Sequence, residues 1–268
     1  MSFFRDKVVI VTGGSDGIGK ALIGALIEAG AKVATCGRHY EKLYALQLEY
    51  SQVMLHTMVC DVIHEEECKR FILSTVETFG TIDILINNAG ISMRSLFDDA
   101  DTNVIRQLMD VNFMGAVYCT KAALPYILLQ KGTIAGISSA AGYRGLPGRS
   151  GYSASKFALQ GWLEALRTEL RDTGVHVMWV SPGFTASNIR NTALNSHGVG
   201  QGESPLDESK LMSAETCARY ILNAIEKRKR VLVLTFTGKL TVFLNKFFPS
   251  LADKLVHRYY FKNGELVR

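Results

Sequence analysis

The chain has 268 residues, of which 47% are hydrophobic and 21% charged, proportions that suit one large α/β domain and exclude an intrinsically disordered chain. Its five cysteines, Cys36, Cys60, Cys68, Cys119 and Cys217, form no CxxC pair, which argues against a disulfide framework and a zinc site and points to a reducing, cytoplasmic setting. The net charge of +5 is uneven, because residues 227–268 hold ten Lys/Arg against only Asp253 and Glu265.

From its first residues the chain runs straight into the apolar Val8-Val9-Ile10-Val11 without the features of a secretion leader, and no run of ~18 apolar residues follows. The expectation is therefore a protein that is neither secreted nor membrane-spanning. Short β-branched runs then alternate with longer segments of 3.6-residue period, the mark of βαβ units and a parallel sheet covered by helices on both faces. The spacing predicts strands near 7–12, 32–36, 53–60, 82–86, 132–137, 175–180 and 231–235. Helices are predicted near 17–29, 40–50, 64–79, 99–110, 112–130, 153–172 and 214–227. No repeat or low-complexity linker divides the chain.

The first strand ends in Thr12-Gly13-Gly14-Ser15-Asp16-Gly17-Ile18-Gly19 and continues into the amphipathic Lys20-Ala21-Leu22-Ile23. A strand, a glycine-rich turn and a helix in that order aim backbone N–H groups and the positive helix end at a pyrophosphate. Gly13 permits the tight turn, Gly17 a close approach to the backbone, and Gly19 close packing of helix and strand. After the second strand comes Thr35-Cys36-Gly37-Arg38-His39. It has no acid to bind a ribose 2′-hydroxyl, and Arg38 has a planar fork suited to a 2′-phosphate. NADP(H) is favoured over NAD(H).

Tyr152 and Lys156 lie at positions i and i+4 on one predicted helix face, where an ammonium is expected to lower the phenol's pKa. Ser139 follows the fifth predicted strand, at the carboxyl edge where open α/β sheets bind ligands. These elements, with Asn87-Asn88-Ala89-Gly90, Asn112 within Asp110-Val111-Asn112-Phe113-Met114-Gly115, and Ser181-Pro182-Gly183-Phe184-Thr185, recur in the order of a known family. Over roughly residues 5–235 the chain resembles the short-chain dehydrogenase/reductases.

That resemblance implies a single Rossmann domain with a doubly wound parallel sheet of about seven strands in the order 3-2-1-4-5-6-7. It implies a catalytic set of Asn112, Ser139, Tyr152 and Lys156. Tyr152 exchanges the proton, Ser139 holds the substrate oxygen, Lys156 tunes the tyrosine and holds the nicotinamide ribose, and the Asn112 carbonyl anchors a water in a proton relay. The cofactor is expected to touch Gly13, Ser15, Asp16, Gly17, Ile18, Gly19, Arg38, Asp61, Val62, Asn88, Ala89, Gly90, Tyr152, Lys156, Pro182, Gly183 and Thr185. Asp61 is assigned to the adenine amino group and Thr185 to the carboxamide. No metal is implied.

Two regions depart from the simplest family pattern. Residues 187–212 are long and irregular, and are expected to form a mobile lid hinged at Gly198, Gly200 and Gly202, with Ile189, Leu194 and Val199 facing substrate. Beyond the domain expected over 1–236, residues 237–268 form a basic extension with an apolar stripe of Leu240, Leu244, Phe247, Leu251 and Leu255. The stripe can pack on its own domain, on a second subunit in a homodimer or homotetramer, or peripherally on an anionic membrane. It resembles the tail of the 11-beta-hydroxysteroid dehydrogenase branch, which implies an apolar or lipid-like ketone or alcohol as the small-molecule substrate. Nucleic acid is not an expected partner, since the tail lacks stacking aromatics on a defined module. The readings carried forward are an NADP(H)-dependent ketone reductase, an NAD(H)-dependent alcohol dehydrogenase, and a non-catalytic dinucleotide-binding relative.

Overall fold

The strands are β1 (Val8–Thr12), β2 (Lys32–Gly37), β3 (Leu55–Val59), β4 (Ile84–Asn87), β5 (Thr133–Ile137), β6 (His176–Ser181) and β7 (Val231–Val233). Every residue of β1, β4, β5 and β6 is buried, as strands covered on both faces require. The structure, a computed structural model, describes residues 2–51 and 53–267. Met1, Gln52 and Arg268, the last of these a cation of the basic tail, lie outside the described residues. The sheet is parallel throughout, in the order β3-β2-β1-β4-β5-β6-β7.

The helices are α1 (Gly17–Glu28), α2 (Tyr40–Glu49), α3 (Glu65–Phe79), α4 (Thr102–Met109), α5 (Gly115–Gln130), α6 (Ser150–Glu169), α7 (Ala214–Glu226), α8 (Phe236–Phe247) and α9 (Pro249–Tyr260). Leu22, Ile23 and Leu26 of α1 join Ile221, Leu222 and Ile225 of α7 against one face of the sheet. Phe71 and Ile72 of α3, Cys119 and Ile127 of α5, and Leu159 and Leu163 of α6 cover the other. All five cysteines are buried and free. No described helix is long and apolar enough to cross a membrane.

Three local features differ from the periodicity. The helices predicted at 99–110 and 112–130 form one continuous rod, in which a π-turn at Asp110–Met114 joins α4 to α5 and the Gly115 N–H donates to the Asp110 carbonyl. No proline or glycine marks this turn inside Asp110–Met114, so the sequence carries no punctuation for it.

The 187–212 segment is more firmly anchored than its polar composition suggests. Leu194 pairs with Met93 and Gly200 and packs among Met93, Val104 and Leu108. Val199, expected to face substrate, is instead 61% exposed, because the Leu194–Gly200 pairing turns that tip outward.

The basic extension folds back as α8 and α9, followed by a hairpin of β8 (Phe261–Lys262) and β9 (Glu265–Leu266). Arg144 donates to Asn245 and to the Asp253 carboxylate, and Asn245 Nδ2 donates to the Tyr143 carbonyl at 2.8 Å. These contacts seat the extension on its own domain.

Candidate active site

The strand order reverses between β1 and β4, and the loops at their carboxyl ends open, with those of β5 and β6, into one cavity of about 1000 Å³. Such switch points are where open α/β sheets bind ligands. Every residue expected to touch cofactor lines this cavity, as does Ser139. Asn112 does not. It sits behind the wall, 2% exposed, with its Oδ1 accepting from the Ile91 N–H at 2.8 Å and its Nδ2 donating to the Ile91 carbonyl and to Ser155 Oγ.

At one end of the cavity the wall is mainly backbone. Gly13 has φ +67°, and a side chain there would come within 2.9 Å of Ala89 Cα, so only glycine fits the turn. Asn88 holds the turn in place, its Nδ2 donating to the Thr12 carbonyl at 2.9 Å and the Gly13 carbonyl at 3.1 Å. Asp16 caps α1 by accepting from the Gly17 N–H at 2.7 Å, and pairs with Lys42 at 3.0 Å. The leading N–H groups of α1 have no intrahelical carbonyl, and Ile18 and Gly19 bring that first turn to the cavity surface. Arg38 lines the same end and makes no ion pair among the described residues. Lys42, which the motif reading passed over, neutralises Asp16 and adds a second cation beside Arg38. Its signal was its place in the first turn of α2.

At the other end lie Ser139, Tyr152 and Lys156. Ser139 Oγ caps a short turn by accepting from the Ala141 N–H at 3.1 Å. Lys156 Nζ donates to the Ile137 carbonyl at 2.8 Å and lies 5.7 Å from the centre of the Tyr152 ring. A side chain at position 90 would come within 3.1 Å of Asn112 Oδ1 and 3.4 Å of Lys156 Nζ, so Gly90 is the clearance that admits the ammonium. Ser138, Ser153 and Ser155 serve packing: Ser138 accepts from Gln160, Ser153 from the Leu146 N–H, and Ser155 donates to the Tyr152 carbonyl.

The electrostatics correct one expectation. Burial raises the Tyr152 phenol above its ordinary value, against opposing pulls from Ser139, Arg149 and Arg190. The lowering expected from Lys156 is not what governs it: burial does, while the Lys156 ammonium, itself pushed down by burial to about 8, donates to the Ile137 carbonyl.

Arg149 and Arg190 are cavity-lining residues absent from the motif reading. Arg190 is 8% exposed. It grips Glu208 with two donors and also donates to the Thr185 carbonyl, and its hydrogen bonds hold the Glu208 carboxyl down to about 2. Leu240, Leu244, Leu255, Val256 and Tyr259 of α8 and α9 close this end with an apolar wall, joined by Ile189 and Leu194.

A family model described as short chain dehydrogenase matches residues 7–197. The chain is 33% identical over 263 residues to "Dehydrogenase/reductase SDR family member 7B" of Mus musculus, covering 95% of this chain and 81% of that protein. It is 32% identical over 260 residues to "11-beta-hydroxysteroid dehydrogenase 1A" of Arabidopsis thaliana, covering 92% and 73%. Among solved structures, a short chain dehydrogenase/reductase from Burkholderia phymatum in complex with NAD superposes with a TM-score of 0.83 at 21% identity, over 94% of this chain and 96% of that one.

Proposed function

Because the chain belongs to the short-chain dehydrogenase/reductase family, we propose that it is an NADP(H)-dependent oxidoreductase that reduces an apolar or lipid-like ketone to a secondary alcohol. The observation that carries this reading is the placement of Ser139, Tyr152 and Lys156 at one end of a cavity whose other end presents the glycine turn, Arg38 and Lys42. The fit to a dinucleotide rests on that arrangement: a helix end and turn for a pyrophosphate, and Arg38, beside the Lys42–Asp16 pair, for a 2′-phosphate. When bound, the nicotinamide supplies the hydride.

The chain's own residues do the rest. Tyr152 donates the proton to the carbonyl oxygen, and a phenol that burial keeps protonated suits the reducing direction. Ser139 hydrogen-bonds the same oxygen and favours the charge that develops there. Lys156 holds the nicotinamide ribose, its position set by the Ile137 carbonyl and by the clearance at Gly90. Asn112, in the π-turn, fixes Ile91 with its side chain and offers its carbonyl to the water of a proton relay. Asp61 and Val62 flank the adenine, and Pro182, Gly183 and Thr185 flank the nicotinamide. Residues 187–212 and the extension from 237 onward form the substrate side of the catalytic domain.

The test is a panel of ketones of increasing chain length, followed by NADPH absorbance. Tyr152→Phe should bind NADPH but lose about 10²–10⁴-fold in kcat, the usual contribution of a general acid. Retention of more than about a tenth of the wild-type rate overturns the assignment.

A further inference from the structure

Arg149 lines the catalytic end of the cavity without a task in the reaction and, among the described residues, without a counter-ion. Beyond the glycine-turn end, the charged side chains lining the cavity are Arg149, Lys156 and Arg190, all cations. The lining carboxylates, Asp16 and Asp61, are at the opposite end, the first paired with Lys42. Arg190 is neutralised by Glu208, and Lys156 is committed to the Ile137 carbonyl and, on the reading above, to the ribose.

Arg149 differs from both. Its Nη1 donates to the buried Ser92 Oγ at 3.2 Å, and no carboxylate lies within ion-pair distance of it among the described residues. A guanidinium has five N–H donors in a planar fork, and a partly buried one without an anion is costly. Arg149 immediately precedes α6 at its N-cap position, with non-helical backbone, three residues before Tyr152. Ser92 adjoins Met93, against whose cluster Tyr152 packs, so Arg149 and Tyr152 share one part of the cavity wall. Beyond them stands the apolar wall of α8 and α9, with Leu240, Leu244, Leu255 and Val256.

We propose that Arg149 binds a carboxylate or phosphate carried by the substrate near its carbonyl, so that the preferred substrates are anionic amphiphiles whose alkyl chain lies against α8 and α9. This rests on the ketone-reductase reading and narrows its substrate class. A planar fork takes either anion through two parallel hydrogen bonds, while the wall takes the chain by area alone.

The experiment compares four ketones of similar chain length in the intact enzyme with NADPH: 4-oxododecanoate, its methyl ester, the phosphate monoester of 1-hydroxydodecan-2-one, and uncharged dodecan-2-one. At least one anion should exceed its uncharged counterpart in kcat/KM by about 10- to 100-fold, the range of a charge-assisted hydrogen bond, and the better anion identifies the group. In Arg149→Gln that preference should collapse towards parity, mostly through KM, whereas Arg149→Lys should keep part of it. Circular dichroism and the thermal midpoint report that the variants are folded. Equal use of charged and uncharged ketones by the wild type, or an undiminished preference in folded Arg149→Gln, overturns the inference. Reduction of dodecan-2-one with both anions refused also overturns it and leaves ketone reduction standing. If none of the four is reduced and Tyr152→Phe matches the wild type, both readings fall.

Discussion

At the glycine-turn end of the cavity, two short side chains, Thr12 and Asn88, hold a wall that is itself mostly main chain. The Thr12 hydroxyl accepts from the N–H groups of Asn88 and Ala89, and Asn88 returns its amide to the Thr12 and Gly13 carbonyls. At the opposite end the parts are held by long side chains reaching across the chain: Arg190 to Glu208, Arg94 to Gln201 and Glu203, and Arg144 to Asn245 and Asp253. A wall of backbone presents the same donors whatever side chains surround it, and it suits a ligand that does not change. A wall of side chains can be re-specified one substitution at a time. The contrast matches a common dinucleotide at one end and a particular substrate at the other.

The contrast breaks most sharply where a side chain decides the outcome at the backbone end. Arg38→Ala should weaken NADPH by roughly 10- to 100-fold and leave NADH nearly unchanged, measured by fluorescence titration of both dinucleotides. Equal losses would assign Arg38 to adenine stacking, and tighter NADH binding by the wild type would reject the NADP(H) preference.

A smaller effect is expected from the Arg190–Glu208 pair. Glu208 titrates near 2 in the fold, against an ordinary value of 4.5. Its stabilisation is therefore fully present above about pH 4.5 and is lost as pH falls from there towards 2. Glu208→Gln should reproduce that loss at neutral pH, with roughly tenfold faster hydrogen exchange across 187–212, about 1.4 kcal/mol, while exchange at residues 13–19 is unchanged. Equal acceleration at both places would mean that the two ends are not independently held.

The smallest effect belongs to Arg144→Ala, which frees Asn245 and Asp253. Its pair with Asp253 is largely solvent-exposed on the acid side, so a loss of about 1 kcal/mol is expected. It should appear as a few-fold rise in KM for a long-chain ketone at an unchanged NADPH affinity. A fall in NADPH affinity of the same size would show that the extension supports both ends.

The same division separates what the sequence displayed from what it concealed. Thr12–Gly19, Ser139, Tyr152 and Lys156 are legible because their geometry is local: a turn follows from glycine spacing, and a shared helix face follows from four residues. The parallel sheet was legible because wholly buried strands such as β1 read as unbroken apolar runs. Arg190 and Glu208 were not, because they lie eighteen positions apart across irregular loop and no period relates their positions. The sign of the Tyr152 shift was missed for a similar reason: adjacency to Lys156 is visible in sequence, but the burial that outweighs it comes from Met93, Val104, Leu108 and Leu194. The seat of α8 and α9 depends on Arg144, about a hundred residues upstream, which left three coverings open for the stripe; Arg144 and Asn245 hold the extension to its own domain, while Leu240, Phe247, Leu251 and Leu255 stay exposed.

The π-turn at Asp110–Met114 makes the site sensitive to the number of residues as well as to their identity. A π-turn holds one residue more than the α-helical path it replaces. Deleting a single residue within it would let α4 and α5 join as unbroken α-helix with their faces nearly kept, whereas a deletion elsewhere in the rod turns one part about 100° relative to the other. Val104 and Leu108 would stay against Met93 and Leu194, but Asn112, carried by the bulge, would lose its paired hold on Ile91. In a scan of single-codon deletions through the uninterrupted helical stretch 102–130, those at 110–114 should therefore be tolerated best by the fold, because only there is one residue in excess of the α-helical frame. They would cost the molecule the Asn112 hold on Ile91 while leaving its packing in place, whereas deletions on either side would displace a whole helix face.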